Sequence, residues 1–177
     1  EIGIAMLPGG MASFGLGGQM RVAGPNDDLH VISSSGGAGS GQLVLRDVNG
    51  GRDTIAVTEG AWARIDLTPG ATSVTSILSF SITADSVIEN AVGTNGTDTL
   101  IGNAADNLFF GRGGNDSIHG GGGLDTLILS GRRSDYVVNV WNGLLGVTGT
   151  TPAAAKTEGA DIALQVCLLY TSPSPRD

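Results

Sequence analysis

The chain has 177 residues, 30 of them Gly, with 17 acidic against 9 basic side chains and a formal net charge of −8. That charge leaves no basic patch for nucleic acid or an anionic membrane. No apolar run reaches the ~18–20 residues of a membrane span, and a single Cys excludes a disulfide framework. Gly is far above its usual share of ~7%. Thirteen of the acids are Asp and only four are Glu. Asp favours turns and Glu favours helices, so the bias predicts a loop-rich β protein of about one domain whose acidic surface suits cations.

Residues 1–92 form a first, Gly-rich β region. The chain starts at Glu1 with nothing like a signal peptide, so it is read as an internal piece of something longer. Asn26 to Ile32 and Gln42 to Val48 are candidate strands. Residues 47–70 read DVNGGRDTIAVTEGAWARIDLTPG, and residues 86–107 read SVIENAVGTNGTDTLIGNAADN. Within them lie three pieces: Gly50 to Ile55, Ile65 to Gly70, and Ile88 to Gly93.

Residues 93–128 carry a nine-residue register: GTNGTDTLI, GNAADNLFF, GRGGNDSIH and GGGGLDTLI. The first position is Gly93, Gly102, Gly111 and Gly120. The fourth is small: Gly96, Ala105, Gly114 and Gly123. The sixth is Asp98, Asn107, Asp116 and Asp125, and the eighth is Leu100, Phe109, Ile118 and Leu127. Four columns held over four repeats without an insertion set this stretch apart from a random Gly-rich linker. Six residues suffice for a turn and three for a short strand. Gly in the turn permits positive φ, and a three-residue strand puts its middle side chain inward. The eighth-position residues are therefore the predicted core.

Residues 129–166 alternate apolar and polar side chains. Tyr136 to Trp141 is a predicted strand, Asn142-Gly143 a hairpin turn signal, and Leu144 to Thr148 the return. This segment is expected to cap the end of the repeats, because solenoids need capping. Cys167 to Asp177, CLLYTSPSPRD, has the sequence of a widely used transposase sequencing adaptor translated in frame. On that reading the natural residues stop at Val166, and the one Cys is not native.

The nonapeptides resemble the RTX (repeats-in-toxin) family, G-G-x-G-x-D-x-U-x with U apolar, a calcium-binding parallel β-helix repeat. The resemblance implies an all-β fold: a parallel β-roll, or calcium-binding β-solenoid, of about two coils, flanked by β-sandwich-like strands. Two nonapeptides make one coil, so residues eighteen apart stack at about ~4.8 Å. Asp98 then lies over Asp116, and Asn107 over Asp125. Ca²⁺ takes six to eight oxygens. Carried over from the family, one site uses Gly93, Asn95 and Asp98 with Arg112, Gly114 and Asp116. A second uses Gly102, Ala104 and Asn107 with Gly121, Gly123 and Asp125. Asn107 removes one charge, so this second site is expected to be the weaker, or vacant, and the chain to hold one or two calcium ions.

Residues 47–128 also resemble the C-terminal region of serralysin-type secreted metalloproteases, through G-G-x-D-T-[LI], I-D-L-x-P-G and I-E-N-A-x-G at the three pieces above. TEGADIALQV resembles an EGxDxL element that follows such rolls, with Ala163 in place of Leu. The chain itself has only His30 and His119. It lacks the paired His of a zincin helix, so any Zn²⁺ would belong to a missing upstream domain. It also lacks a nucleophile elbow and a phosphate loop, so no catalytic residue is assigned. The resemblance implies calcium-dependent folding of a monomeric, extracellular bacterial protein exported by type I secretion machinery. The parent expected is a zinc endopeptidase; the alternatives are an RTX adhesin or surface protein, or another exported hydrolase such as a lipase.

Overall fold

The computed structural model describes residues 11–14, 20–22, 26–33, 43–47, 50–151, 154 and 159–171. Among these the chain is almost entirely strand and turn. In order the strands are β1 (Met11–Phe14), β2 (Met20–Val22), β3 (Leu29–Ile32), β4 (Leu43–Arg46), β5 (Thr54–Val57), β6 (Ala63–Asp66), β7 (Thr72–Thr75), β8 (Ser79–Ile82), β9 (Asn90–Val92), β10 (Thr99–Ile101), β11 (Leu108–Phe110), β12 (Ser117–His119), β13 (Thr126–Leu129), β14 (Tyr136–Trp141), β15 (Leu144–Gly149), β16 (Ala160–Leu164) and β17 (Cys167–Tyr170). One 3-10 turn, Arg133–Asp135, precedes β14.

Two sheets contain all the strands. The first runs β1-β3-β5-β9-β11-β13-β17, parallel throughout. The second runs β14-β15-β16-β12-β10-β6-β7-β8-β4-β2. Its β16-β12-β10-β6 stretch is parallel, and the chain alternates between the sheets from β3 to β6 and again from β9 to β13. The four strands of the nonapeptides, β10 to β13, fall in the predicted places. β10 pairs with β12 with Leu100 opposite Ile118, and β11 pairs with β13 with Phe109 opposite Leu127.

The strands on either side of the repeats lie in these same two sheets. β5 and β9 pair with Ile55 opposite Ala91, and β10 pairs with β6 with Leu100 opposite Ile65. The cause is visible in the side chains: Ile55, Ile65, Ile88, Ala91 and Leu100 are fully buried in one continuous core with Phe109 and Leu127. Strand positions that present apolar middles at the same register extend the stack whether or not their turns follow the nonapeptide pattern. Two antiparallel additions break the alternation, both in the second sheet. β7 and β8 form a hairpin between β6 and β4. β14 and β15 form another that joins antiparallel to β16. Asn142 and Gly143 turn this second hairpin with φ of 50° and 79°, as a tight hairpin with both central residues left-handed requires. Candidate strands 26–32 and 42–48 appear as the shorter β3 and β4. β17 opens the segment read as adaptor translation and pairs with β13; residues 172–177 lie outside the described residues.

Phe109 is fully buried, whereas Val137 is 47% exposed on the hairpin. Phe109→Ala is expected to cost about 3–5 kcal/mol, and Val137→Ala within about 0.5 kcal/mol, in urea unfolding of the calcium-saturated chain. Equal effects would show that the eighth-position column is not the core.

Candidate metal centre

Each six-residue turn between the sheets ends on a column residue, placed directly before a strand. Asp98, Asn107, Asp116 and Asp125 are all buried, at most 3% exposed. The two turns on one side stack by a repeated contact. The Asp98 N–H donates to Asp116 Oδ1 at 2.8 Å, and on the other side the Asn107 N–H donates to Asp125 Oδ1 at 2.8 Å. Thus residues eighteen apart are brought together as the repeat predicts.

The same contact continues beyond the repeats. On the first side the Ala63 N–H donates to Asp98 Oδ1 at 2.6 Å, and the Asp116 N–H donates to Asp161 Oδ1 at 3.0 Å. On the second side the Asp28 N–H donates to Asp53 Oδ1 at 2.7 Å, and the Asp53 N–H donates to Glu89 Oε2 at 2.8 Å. Asp28, Asp53, Glu89 and Asp161 were absent from the residues picked by sequence. One signal was available for Glu89, which stands 18 residues before Asn107, the spacing of the repeat itself.

One rung reverses polarity. Asn107 Nδ2 donates to the Glu89 carbonyl at 2.9 Å and to Asn103 Oδ1 at 3.1 Å. Asn103 Nδ2 donates to the carbonyls of Leu67 at 3.2 Å and Ile88 at 2.7 Å, and its N–H donates to Asn107 Oδ1 at 2.8 Å. Here side-chain amides, rather than a carboxylate, link one coil to the next. An amide supplies its own donors and carries no charge, so this rung is closed by the protein alone.

The turns approach closely. Gly114 adopts φ of 109° and lies directly over the Gly96 carbonyl, where any Cβ would clash. Arg112 takes φ of 72° despite its side chain. A Cβ on Gly93 would meet the Asp98 carboxylate and lie 2.8 Å from the Gly111 carbonyl oxygen. Gly102 is packed in the same way against Gly120 and Asn107, and Gly121 and Gly123 against the carbonyls of Asn103 and Ala105. Asn95 and Ala104 sit at the exposed tips of their turns. Carbonyls and carboxylates of successive turns are therefore crowded at one edge of the stack, and only residues without side chains allow it.

These residues fit a hard cation. Asp125 Oδ2 is buried with no hydrogen-bond partner, a costly state for a carboxylate unless something positive meets it. Burial pushes the Asp125 carboxyl up. Burial also raises Asp98, although Thr94 and the Ala63 N–H bond its carboxylate and oppose the shift. Glu89 is raised by burial. Asp53 is pushed up to about 7, first by burial and then by the Asp47 carboxyl beside it, against the opposing Asp28 N–H. An array of buried acids of one sign, stacked one coil apart with oxygen ligands between them, is what a calcium-binding β-solenoid presents.

The sequence family agrees. Residues 92–127 match the model of the RTX calcium-binding nonapeptide repeat, in four copies, so the chain carries a calcium-binding RTX module at its centre. Among curated proteins none matches the chain.

Carboxyls whose pKa is raised by folding favour the folded state when protonated. Their effect is most stabilising at low pH and is lost as pH rises through the folded value. For Asp53 the window runs from the ordinary Asp range of ~3.9 to about 7. In chelator, the melting temperature followed by Trp fluorescence is expected to fall between pH 5 and pH 8. Saturating Ca²⁺ should remove or reverse the trend, because a cation takes the place of the proton. A melting temperature that rises with pH in chelator would contradict the buried-acid array.

Proposed function

We propose that this chain is the calcium-binding C-terminal module of an exported bacterial protein, a serralysin-like zinc endopeptidase, and that calcium drives its folding after secretion. The observation that carries the calcium reading is the buried column of Asp98 and Asp116, one coil apart in the matched repeats and bonded through N–H to carboxylate. In support of the parent, the three serralysin-like pieces, Gly50 to Ile55, Ile65 to Gly70 and Ile88 to Gly93, run into β5, β6 and β9, whose pairings lead straight into the repeats.

The residues assigned to hold the ion are the carboxylates of Asp98 and Asp116 with the carbonyls of Gly93, Asn95, Arg112 and Gly114. A second, weaker set is the Asp125 carboxylate and Asn107 with the carbonyls of Gly102, Ala104, Gly121 and Gly123. Ca²⁺ supplies positive charge and oxygen-seeking coordination between the turns. The chain's own residues do the rest. The glycines let the turns approach, the eighth-position side chains close the core, and the N–H donors hold each carboxylate at the turn edge. At the low free calcium inside a cell the acids repel and the coils stay open. At the millimolar calcium outside, binding at the ~10⁻⁴–10⁻³ M typical of extracellular modules supplies folding free energy. This reading makes the protein extracellular and monomeric, exported by a type I route, with catalysis located outside these residues.

Titrating Ca²⁺ into chelator-treated protein is expected to raise the β signal in circular dichroism, and Mg²⁺ to fail to do so, since Mg²⁺ dehydrates reluctantly and needs tighter geometry. An unchanged spectrum at saturating Ca²⁺ would refute calcium-dependent folding. Asp116→Ala should weaken calcium binding by about tenfold or more, ~1.4 kcal/mol, and Asn107→Ala by less. Equal losses would overturn the ranking of the two sites.

A further inference from the structure

A second group of acids converges outside the matched repeats. Asp28 directly precedes β3, Asp47 directly follows β4, and Asp53 directly precedes β5. Each contributes a carboxylate oxygen to a cluster whose members all lie within 4.8 Å of one another. All three residues are buried, at 7%, 2% and 1% exposed. Asp28 and Asp53 are consecutive rungs of one column, joined by the Asp28 N–H. Asp47 has no counterpart in a nonapeptide. It is the first residue after a strand, the place held by Gly93, Gly102, Gly111 and Gly120 in the repeats, so a side-chain carboxylate stands where a repeat has none. The Asp47 N–H is fixed by Ser86 Oγ at 2.7 Å.

What points to a ligand is Asp53. Its Oδ2 is buried with no hydrogen-bond partner, while its Oδ1 already accepts from Asp28. The adjacent cation does not answer it: Arg52 sends its guanidinium to the Asp106 carbonyl at 3.2 Å. His30 Nε2 lies 3.7 Å from Asp47 Oδ2, on the Asp47 side of the cluster. Three carboxylates this close in a buried place repel one another strongly unless a cation lies among them.

We propose that Asp28, Asp47 and Asp53 form a divalent-cation site separate from the RTX repeats, built from three side-chain carboxylates and suited to Ca²⁺. A repeat site draws two carboxylates and four carbonyls from two turns. This one draws its charge from three side chains and ties β3, β4 and β5 to one ion. Carboxylate charge count is a main determinant of calcium affinity, so this site fills at lower calcium than the repeats. It gives the strands before the repeats a calcium requirement of their own.

The test is calorimetric titration of CaCl₂ into the chelator-treated full chain, comparing wild type with Asp47→Asn, Asp28→Asn and Asp116→Ala. Asp47→Asn and Asp28→Asn are each expected to remove one tight site, with the sites that Asp116→Ala weakens left intact. An unchanged number of tight sites in both variants would overturn the proposal. If Asp116→Ala has no effect while Asp47→Asn removes a site, the repeat reading fails and this one stands. A second readout keeps the test open should a variant fold poorly. Trypsin cleavage after Arg46 and Arg52, mapped by mass spectrometry, should be suppressed by Ca²⁺ in wild type at least tenfold. In Asp28→Asn that protection should be lost, while protection after Arg112 persists. Equal protection at Arg46 and Arg52 in wild type and Asp28→Asn would sink the site.

Discussion

Parallel stacking in register forces like side chains to lie one above another, and in this protein the side chains so stacked are acids. Neighbouring parallel strands are about ~4.8 Å apart, so a residue type repeated at the coil period becomes a column. An apolar column is a core, and the stack of Ile55, Ala91, Phe109 and Leu127 is one. An acidic column is a liability of equal regularity. The N–H donated to each carboxylate from the rung before it reduces the cost but leaves charge beside charge: Asp98 gives its N–H to Asp116, and Asp116 gives its own to Asp161. Folding of the core and neutralisation of the columns are therefore one process, because the same register produces both.

The distinction between carboxylate and amide at the column position decides where neutralisation is needed. Asn107 and Asn103 satisfy each other and the carbonyls of Leu67, Ile88 and Glu89. That rung closes without help, and it lies between Glu89 on one side and Asp125 on the other. The second column is thereby divided. Asp28, Asp53 and Glu89 form a strongly acidic stretch before the amides, and Asp125 an isolated acid after them. The first column has no such break from Asp98 to Asp161.

How much of this was legible follows from the spacing. Between residues 93 and 128 nothing interrupts the nine-residue period, so strand positions, core column and acidic column could all be read from composition at fixed intervals. The β14–β15 hairpin was legible through its alternation and its Asn142-Gly143 turn. Outside the repeats the period is broken by insertions that the fold absorbs at the edge of a turn. Asp53 and Glu89 are 36 residues apart, two coil periods, yet they are adjacent rungs because β7 and β8 occupy the difference. Asp116 and Asp161 are 45 apart for the same reason, with β14 and β15 between them. A period search rejects both pairs, although their backbone contact is identical to that of Asp98 and Asp116. The resemblance of residues 47–70 to a known element pointed at Asp53 by motif, without indicating that it shares a column with Asn107.

The inserted hairpins also explain why the parallel stack survives around them. Both additions are antiparallel and both join the second sheet, so neither alters the turns on the second column's side or the order of the first sheet. β5 still meets β9, and β9 still meets β11. At its far edge the first sheet presents β13, whose unpaired backbone groups will accept a strand of suitable alternation. β17 meets that demand with Leu168 and Tyr170 turned to the core, and a four-residue pattern of this kind is satisfied by composition alone. The stack is thus permissive at its sheets and selective at its turns. A strand need only alternate, whereas a turn that holds an acid one coil from the next must supply the close backbone approach and the positive charge together.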